Sequence, residues 1–114
     1  MTYLFTASMD VTPDKESLFN EVYDTEHIPL LLKVPGVISV SRYVKLDFAM
    51  IMGGQTVQMK AEGEPKYSAV YEIESPEVLL SDAWAAAVDQ GRWPEQVRPF
   101  TTNRRHVLRR KLDS

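Results

Sequence analysis

His27 is the residue best placed to do chemistry in this chain, because a neutral imidazole that titrates near physiological pH can move a proton to or from a bound carbon acid. Tyr23 precedes it by four positions. On a helix that spacing sets the phenol and the imidazole on one face about a turn apart, where the hydroxyl could orient the ring or stabilise a developing enolate oxygen. Asp24 and Glu26 lie beside the pair; the helical angle points Asp24 elsewhere and leaves Glu26 solvated or holding Arg42. Arg42 is the odd member of an apolar strand face. A buried guanidinium needs a carboxylate, for which Glu26, Glu72 and Glu74 are candidates, or the carboxylate or phenolate of a bound substrate. The opposing reading makes His27 structural, a satisfied histidine that locks the helix end against an irregularity at Pro29.

The other histidine, His106, sits among Arg104, Arg105, Arg109, Arg110 and Lys111. In a strand this basic run reads as a solvated edge or dimer rim, with anion binding the lesser reading. Two histidines separated by most of the chain make a poor ligand set for zinc or iron, so no metal is expected. Gly53-Gly54 lacks the spacing and the lysine of phosphate loops and dinucleotide fingerprints, and no cofactor is expected either. Tyr3, Phe5, Tyr43, Tyr67, Tyr71, Trp84 and Trp93 could wall an aromatic ligand, although aromatics on strands and helices are usually core.

These residues must be positioned by one core, since 114 residues make a single domain, 1–114. With 44% hydrophobic and 25% charged residues the chain should fold as an ordinary globular protein. A net charge of -3 argues against a nucleic-acid partner. The absence of cysteine excludes disulfides and thiolate chemistry. The first ten residues lack the basic start and apolar stretch of an export signal, and Lys33, Pro35 and Gly36 interrupt the most apolar window, so the expected location is cytoplasmic with no membrane span.

Alternation over Tyr3 to Met9 predicts a first strand with Tyr3, Phe5, Ala7 and Met9 on one face. Thr12-Pro13-Asp14 is a helix start in which Thr12 caps free amides. Leu18, Phe19, Val22, Tyr23, Glu26, His27, Leu30 and Leu31 then recur every three or four residues along one helical side. Pro29 should distort that helix just beyond His27, and Pro35-Gly36 should end it. Val37 to Leu46 predicts a second strand with Ile38, Val40, Arg42 and Val44 on one face. Asp47 to Lys66 is a hairpin or a mobile flap around Gly53-Gly54. Tyr67 to Glu74 is a third strand. A second helix starts at Ser75-Pro76 or is capped by Ser81, and Gly91 stops it. Asn103 to Leu112 is the last strand. The order βαββαβ is that of the α+β ferredoxin-like fold, an antiparallel sheet with two helices on one face. The free face, expected to show Tyr, Val, Ile and Arg, would be covered by a second copy in a homodimer.

The run Tyr23-Asp-Thr-Glu-His27-Ile-Pro29-Leu-Leu-Leu-Lys-Val-Pro35-Gly36, followed by Arg42-Tyr43, resembles the first helix and second strand of the dimeric α+β barrel superfamily, in particular its EthD-like branch. Ser81-Asp-Ala-Trp84, Trp93, Pro99 and Arg104-Arg105 are similar to the second half of that branch. The resemblance implies a dimer whose sheets meet face to face and a pocket in each subunit between sheet and helices. Pockets of this kind serve lactone isomerases, polyketide cyclases, cofactor-free monooxygenases, haem enzymes and binding proteins, so fold does not choose among them. Two expectations result. One is a cofactor-free isomerase, cyclase or lyase acting on a small apolar or aromatic ring compound, with His27 and Tyr23 catalytic and Arg42 binding substrate, or its dioxygen-consuming monooxygenase variant. The other is a non-catalytic dimeric ligand-binding or interaction module with a filled interior around His27.

Overall fold

A computed structural model describes residues 2–112. Strand β1, Tyr3–Val11, alternates as its sequence demands: Ala7 and Met9 are buried while Leu4 is exposed. A single 3-10 turn, Pro13–Lys15, leads into α1, Glu16–Val22. Thr12 stands at the cap position but makes no side-chain cap bond, contrary to expectation. The reason is local. The Lys15 N–H, an amide that the cap would otherwise take, already donates to the Thr12 carbonyl at 2.9 Å, closing the turn with backbone alone.

The helix then widens into a π turn, Tyr23–His27, before resuming as α2, Ile28–Leu32. The distortion therefore lies at and before His27, where the sequence alone suggested a site just beyond it. Pro29 offers no N–H to the Thr25 carbonyl and its ring crowds that oxygen, so the preceding turn opens and the Ile28 N–H reaches back to the Tyr23 carbonyl. Thr25 assists by donating its hydroxyl to the Glu21 carbonyl at 2.7 Å, a back-bond that bends helices. The extra residue accommodated in the turn rotates α2 relative to α1, and Tyr23 and His27 both remain buried.

Strand β2, Val37–Val44, carries an irregularity between Val37 and Ser39, so Val37, Val40 and Arg42 face the helices whereas Ile38 is exposed. The expected grouping of Ile38 with Val40 and Arg42 fails for that reason, since a bulge breaks the period of two. Strands β3, Phe48–Met52, and β4, Gln55–Met59, form a hairpin of their own. Its turn is Gly53-Gly54 with φ of 58° and 79°, the left-handed pair that a two-residue type I′ connection requires. Strand β5 is Tyr67–Ile73, the helix α3 is Asp82–Ala87, and β6 is Thr101–Arg110. Of the two starts considered for the second helix, Ser75-Pro76 begins only a 3-10 segment, Pro76–Leu80, and Ser81 caps α3 by accepting the Trp84 N–H at 3.1 Å.

The four-stranded sheet has the order β2-β5-β1-β6, antiparallel throughout. This is the ferredoxin-like α+β arrangement, with the β3-β4 hairpin added between β2 and β5. Helices cover one face and build the core from Phe19, Val22, Tyr23 and Leu31 against Ala69, Tyr71 and Ile73 of β5. Leu4, Tyr43, Val70 and Val107 lie on the other face, interspersed with Thr6, Ser41 and Ser68. Arg42 is absent from that face. Among the described residues no helix is long and apolar enough to cross a membrane.

Gly36 turns the chain from α2 into β2 at φ 94°, and a β-carbon there would run into Val78 Cγ2. Gly36→Ala is expected to destabilise by about 1–3 kcal/mol through left-handed strain and that collision. A lower urea midpoint with unchanged slope checks it. An unchanged midpoint would mean that the 3-10 segment bearing Val78 shifts freely.

Candidate active site

Between the sheet and the helices lies a cavity of about 250 Å3. The π turn delivers Tyr23 and His27 to it, β1 supplies Phe5, Ala7 and Met9, and α3 supplies Trp84. Trp93 closes it from a second π turn, Trp93–Val97. The segment before that turn is held by Glu26, whose Oε1 accepts the Arg92 backbone N–H at 2.9 Å while its Oε2 accepts from the Arg92 guanidinium. Those bonds hold the Glu26 carboxyl below its ordinary pKa. Glu26 thus anchors the loop that lays Trp93 over His27, ring centroids 4.3 Å apart and planes 20° from parallel.

His27 is 5% exposed. Neither ring nitrogen bonds to a described residue, and Nδ1 is fully buried without a partner. Burial pushes its pKa down to about 4, with the Arg98 guanidinium adding to the effect, so the ring is the free base at neutral pH. It is therefore a base with an open hydrogen-bonding capacity rather than a group titrating near neutrality. The unfolded chain binds a proton near the ordinary pKa of 6.5 and the folded chain only near 4. His27 accordingly contributes stability that is fully present above the ordinary value and is lost as pH falls through that window. The loss amounts to about 3 kcal/mol by linkage. Urea denaturation of wild type and His27→Gln at several pH values checks this; the wild-type advantage at neutral pH should shrink and then reverse as pH falls to about 4. A pH-independent difference would remove the buried-base description.

Tyr23 meets His27 edge-on at 4.9 Å and does not hydrogen-bond to it. Its hydroxyl pairs instead with that of Tyr71 at 2.7 Å in a buried contact. Burial pushes Tyr23 up to about 12 and Tyr71 also well upward, so both stay phenols. Two hydroxyls sharing one hydrogen bond leave one O–H over, a neutral donor for an oxygen that gains charge.

Arg42 does not reach this cavity. It lies behind Tyr23, its guanidinium 4.7 Å from that ring's centroid, and donates to Asp24 Oδ1 at 2.8 Å and Asn20 Oδ1 at 2.7 Å. The carboxylate roles are thus exchanged relative to the sequence reading: Asp24 takes Arg42, Glu26 takes Arg92, and Glu72 and Glu74 take neither. Tyr71, Phe5, Trp84 and Trp93 do line the cavity, whereas Tyr3, Tyr43 and Tyr67 do not.

Three further residues line the cavity: Arg98, which the sequence reading passed over, and Arg104 and His106, which it placed at an edge or rim with anion binding the lesser reading. Arg98 donates to the Val88 carbonyl at 2.7 Å and to Asp89 at 2.9 Å. His106 pairs with Ala7 in the β1-β6 ladder and therefore faces inward with it, stacked on Phe5 at 5.9 Å. The alternation of β6 groups Arg104 with His106, but parity cannot say which face is inside; only the pairing with β1 does. The basic run expected at a solvated edge or rim thus supplies one side of the cavity. Two imidazoles now share the space, yet among the described residues no third His, Asp or Glu joins them as a ligand cluster. The cavity adjoins His27, so the interior around the ring is not filled.

Sheet order and helix placement define the ferredoxin-like α+β fold. No family model and no curated protein matches the sequence. Among solved structures, the chain is similar to a provisionally assigned antibiotic biosynthesis monooxygenase from Bordetella bronchiseptica, at 18% identity and TM-score 0.68 over 97% of each chain. It is similar to an ethyl tert-butyl ether degradation (EthD) family protein from Bacillus halodurans at 16% identity and TM-score 0.61, covering 98% of this chain and 100% of the other. The cofactor-independent oxygenase SnoaB from Streptomyces nogalater aligns at 13% identity and TM-score 0.51, covering 99% and 93% respectively. At these identities the likeness concerns the fold.

Proposed function

We propose that this chain is an enzyme that removes a proton from a small aromatic or enolisable ring compound held in the cavity, with His27 as the base. The observation that carries the reading is a neutral imidazole without a protein partner beside a partly open cavity lined mainly by aromatic rings. Such a base is weak toward water. It becomes effective when the developing anion beside it restores the charge that burial withholds from the imidazolium. The spare O–H of the Tyr23-Tyr71 pair meets the oxygen onto which the negative charge moves. A cavity of about 250 Å3 falls just below the usual range for drug-sized ligands and suits one or two fused rings. No cofactor is needed for this step.

Two fates of the resulting anion fit the reading. Reprotonation at another carbon gives the isomerase, cyclase or lyase outcome. Likeness in fold to an oxygenase described as cofactor-independent favours the second, reaction of the electron-rich anion with dioxygen. In that case a ring methylene becomes a carbonyl, one oxygen atom entering the product and the other leaving as water with the two methylene hydrogens. The working unit is a homodimer, supported by Leu4, Tyr43, Val70 and Val107 on the outer sheet face, and its location is cytoplasmic.

The test is incubation with small hydroxyarenes and cyclic 1,3-dicarbonyl compounds in D2O, followed by proton NMR and a dioxygen electrode. Catalysed loss of a carbon-bound proton signal supports the proton-transfer step. Concurrent dioxygen uptake assigns the oxygenase outcome and its absence the isomerase class. Neither signal across the panel would overturn the proposal.

A further inference from the structure

The charges around the cavity are lopsided. Its wall contains Arg98 and Arg104 and no Asp or Glu. Arg42, Arg92, Arg98 and Arg105 each have a carboxylate partner at salt-bridge distance. Arg104 has none among the described residues, nor any hydrogen bond to them. A guanidinium at the mouth of a partly apolar cavity and free of a counterion makes that mouth locally positive. His106, two positions along the same strand, stands on the same face with its ring held flat on Phe5. The remaining wall is mostly aromatic, with Trp84, Trp93 and His27, and is completed by Ala7, Met9 and Val88.

We infer that Arg104, with His106 beside it, is the anchor for a carboxylate carried by the ring compound, so that the substrates are small planar aromatic carboxylates. The planar fork of the guanidinium matches a carboxylate in two parallel hydrogen bonds, and the neighbouring imidazole adds one N–H donor. The apolar ring then lies among the aromatic side chains beside His27. This assignment names the substrate class for the proposed activity and rests on that reading for the position of the ring alone; the anchor itself does not depend on His27.

Isothermal titration of the full-length protein with 1-naphthoate and its neutral isostere 1-naphthamide, at pH 7 and low salt, tests the anchor. Naphthoate is expected to bind at least about tenfold more tightly, the size of one charge-assisted contact. Arg104→Gln should abolish that preference and leave naphthamide affinity unchanged; Arg104 is exposed, so the fold tolerates the change. Arg105→Gln, on the opposite face and paired with Glu64 at 2.9 Å, should keep the preference and so separates a local anchor from general charge. His27→Gln should also keep it, even where turnover is lost, which distinguishes failure of the anchor from failure of the proposed catalysis. Equal affinity for the two probes, a preference that survives in Arg104→Gln, or tighter binding of 1-naphthyl phosphate than of naphthoate would overturn the inference.

Discussion

Glutamine in place of His27 is expected to lower turnover by about 10²–10⁴-fold, the usual contribution of a positioned base, while the chain stays folded. The amide can still hydrogen-bond to a ligand but cannot accept a proton from carbon at neutral pH. The cost to the fold is modest, because the imidazole makes no hydrogen bond to the described residues and contributes mainly its stack on Trp93 and its edge contact with Tyr23. Stacking of that kind accounts for about 0.5–1.5 kcal/mol, a fall in Tm of a few degrees for a domain this size. Steady-state rates and a thermal melt on the same preparation give both quantities. Full activity in the variant would exclude His27 from the mechanism, and a collapse of Tm with no rate to measure would return it to a structural role.

Trp93→Ala should have the largest effect on the fold. The indole is 3% exposed and touches Phe19 of the core at 6.0 Å and the cavity-lining rings of Tyr23 at 5.1 Å and His27 at 4.3 Å. Truncating a buried tryptophan costs about 3–5 kcal/mol, against a total stability of about 5–15 kcal/mol for an ordinary domain. The urea midpoint should fall accordingly, and Trp93→Phe should recover part of the loss by keeping an aromatic face against the imidazole. The alanine variant also admits water to His27, so its pKa should return toward the ordinary value, visible as an upward shift of its proton NMR titration. A change below about 1 kcal/mol would mean that the π turn bearing Trp93 is not fixed to the core.

His27 and Tyr23 were legible as a pair because a helical spacing of four survives even when the helix widens: both residues stay on the buried side. Strand alternation identified β1 and β5, and the two glycines marked the hairpin turn, since each depends on neighbours close in sequence. Arg42 shows the limit. Its type and its place among apolar neighbours on β2 signalled a guanidinium that needs a partner, but not that it faces the helices, and which carboxylate reaches it depends on how far the π turn rotates Asp24 relative to Glu26. That rotation comes from the clash between Pro29 and the Thr25 carbonyl, and its size is a property of the folded helix. Trp93 likewise reads as one aromatic among several until Glu26, far away in sequence, fixes Arg92 beside it.

The amino-acid sequence by itself determined the order βαββαβ, the absence of thiol chemistry and the presence of one well-placed imidazole, because composition, periodicity and turn chemistry are local quantities. Only the tertiary structure decided that β6 turns Arg104 and His106 toward that imidazole, that Arg42 stays behind Tyr23, and that a space remains between them. Those outcomes depend on strand register and on the packing of side chains distant in sequence, and a one-residue slip in β6 against β1 would have sent the same basic residues to the opposite face.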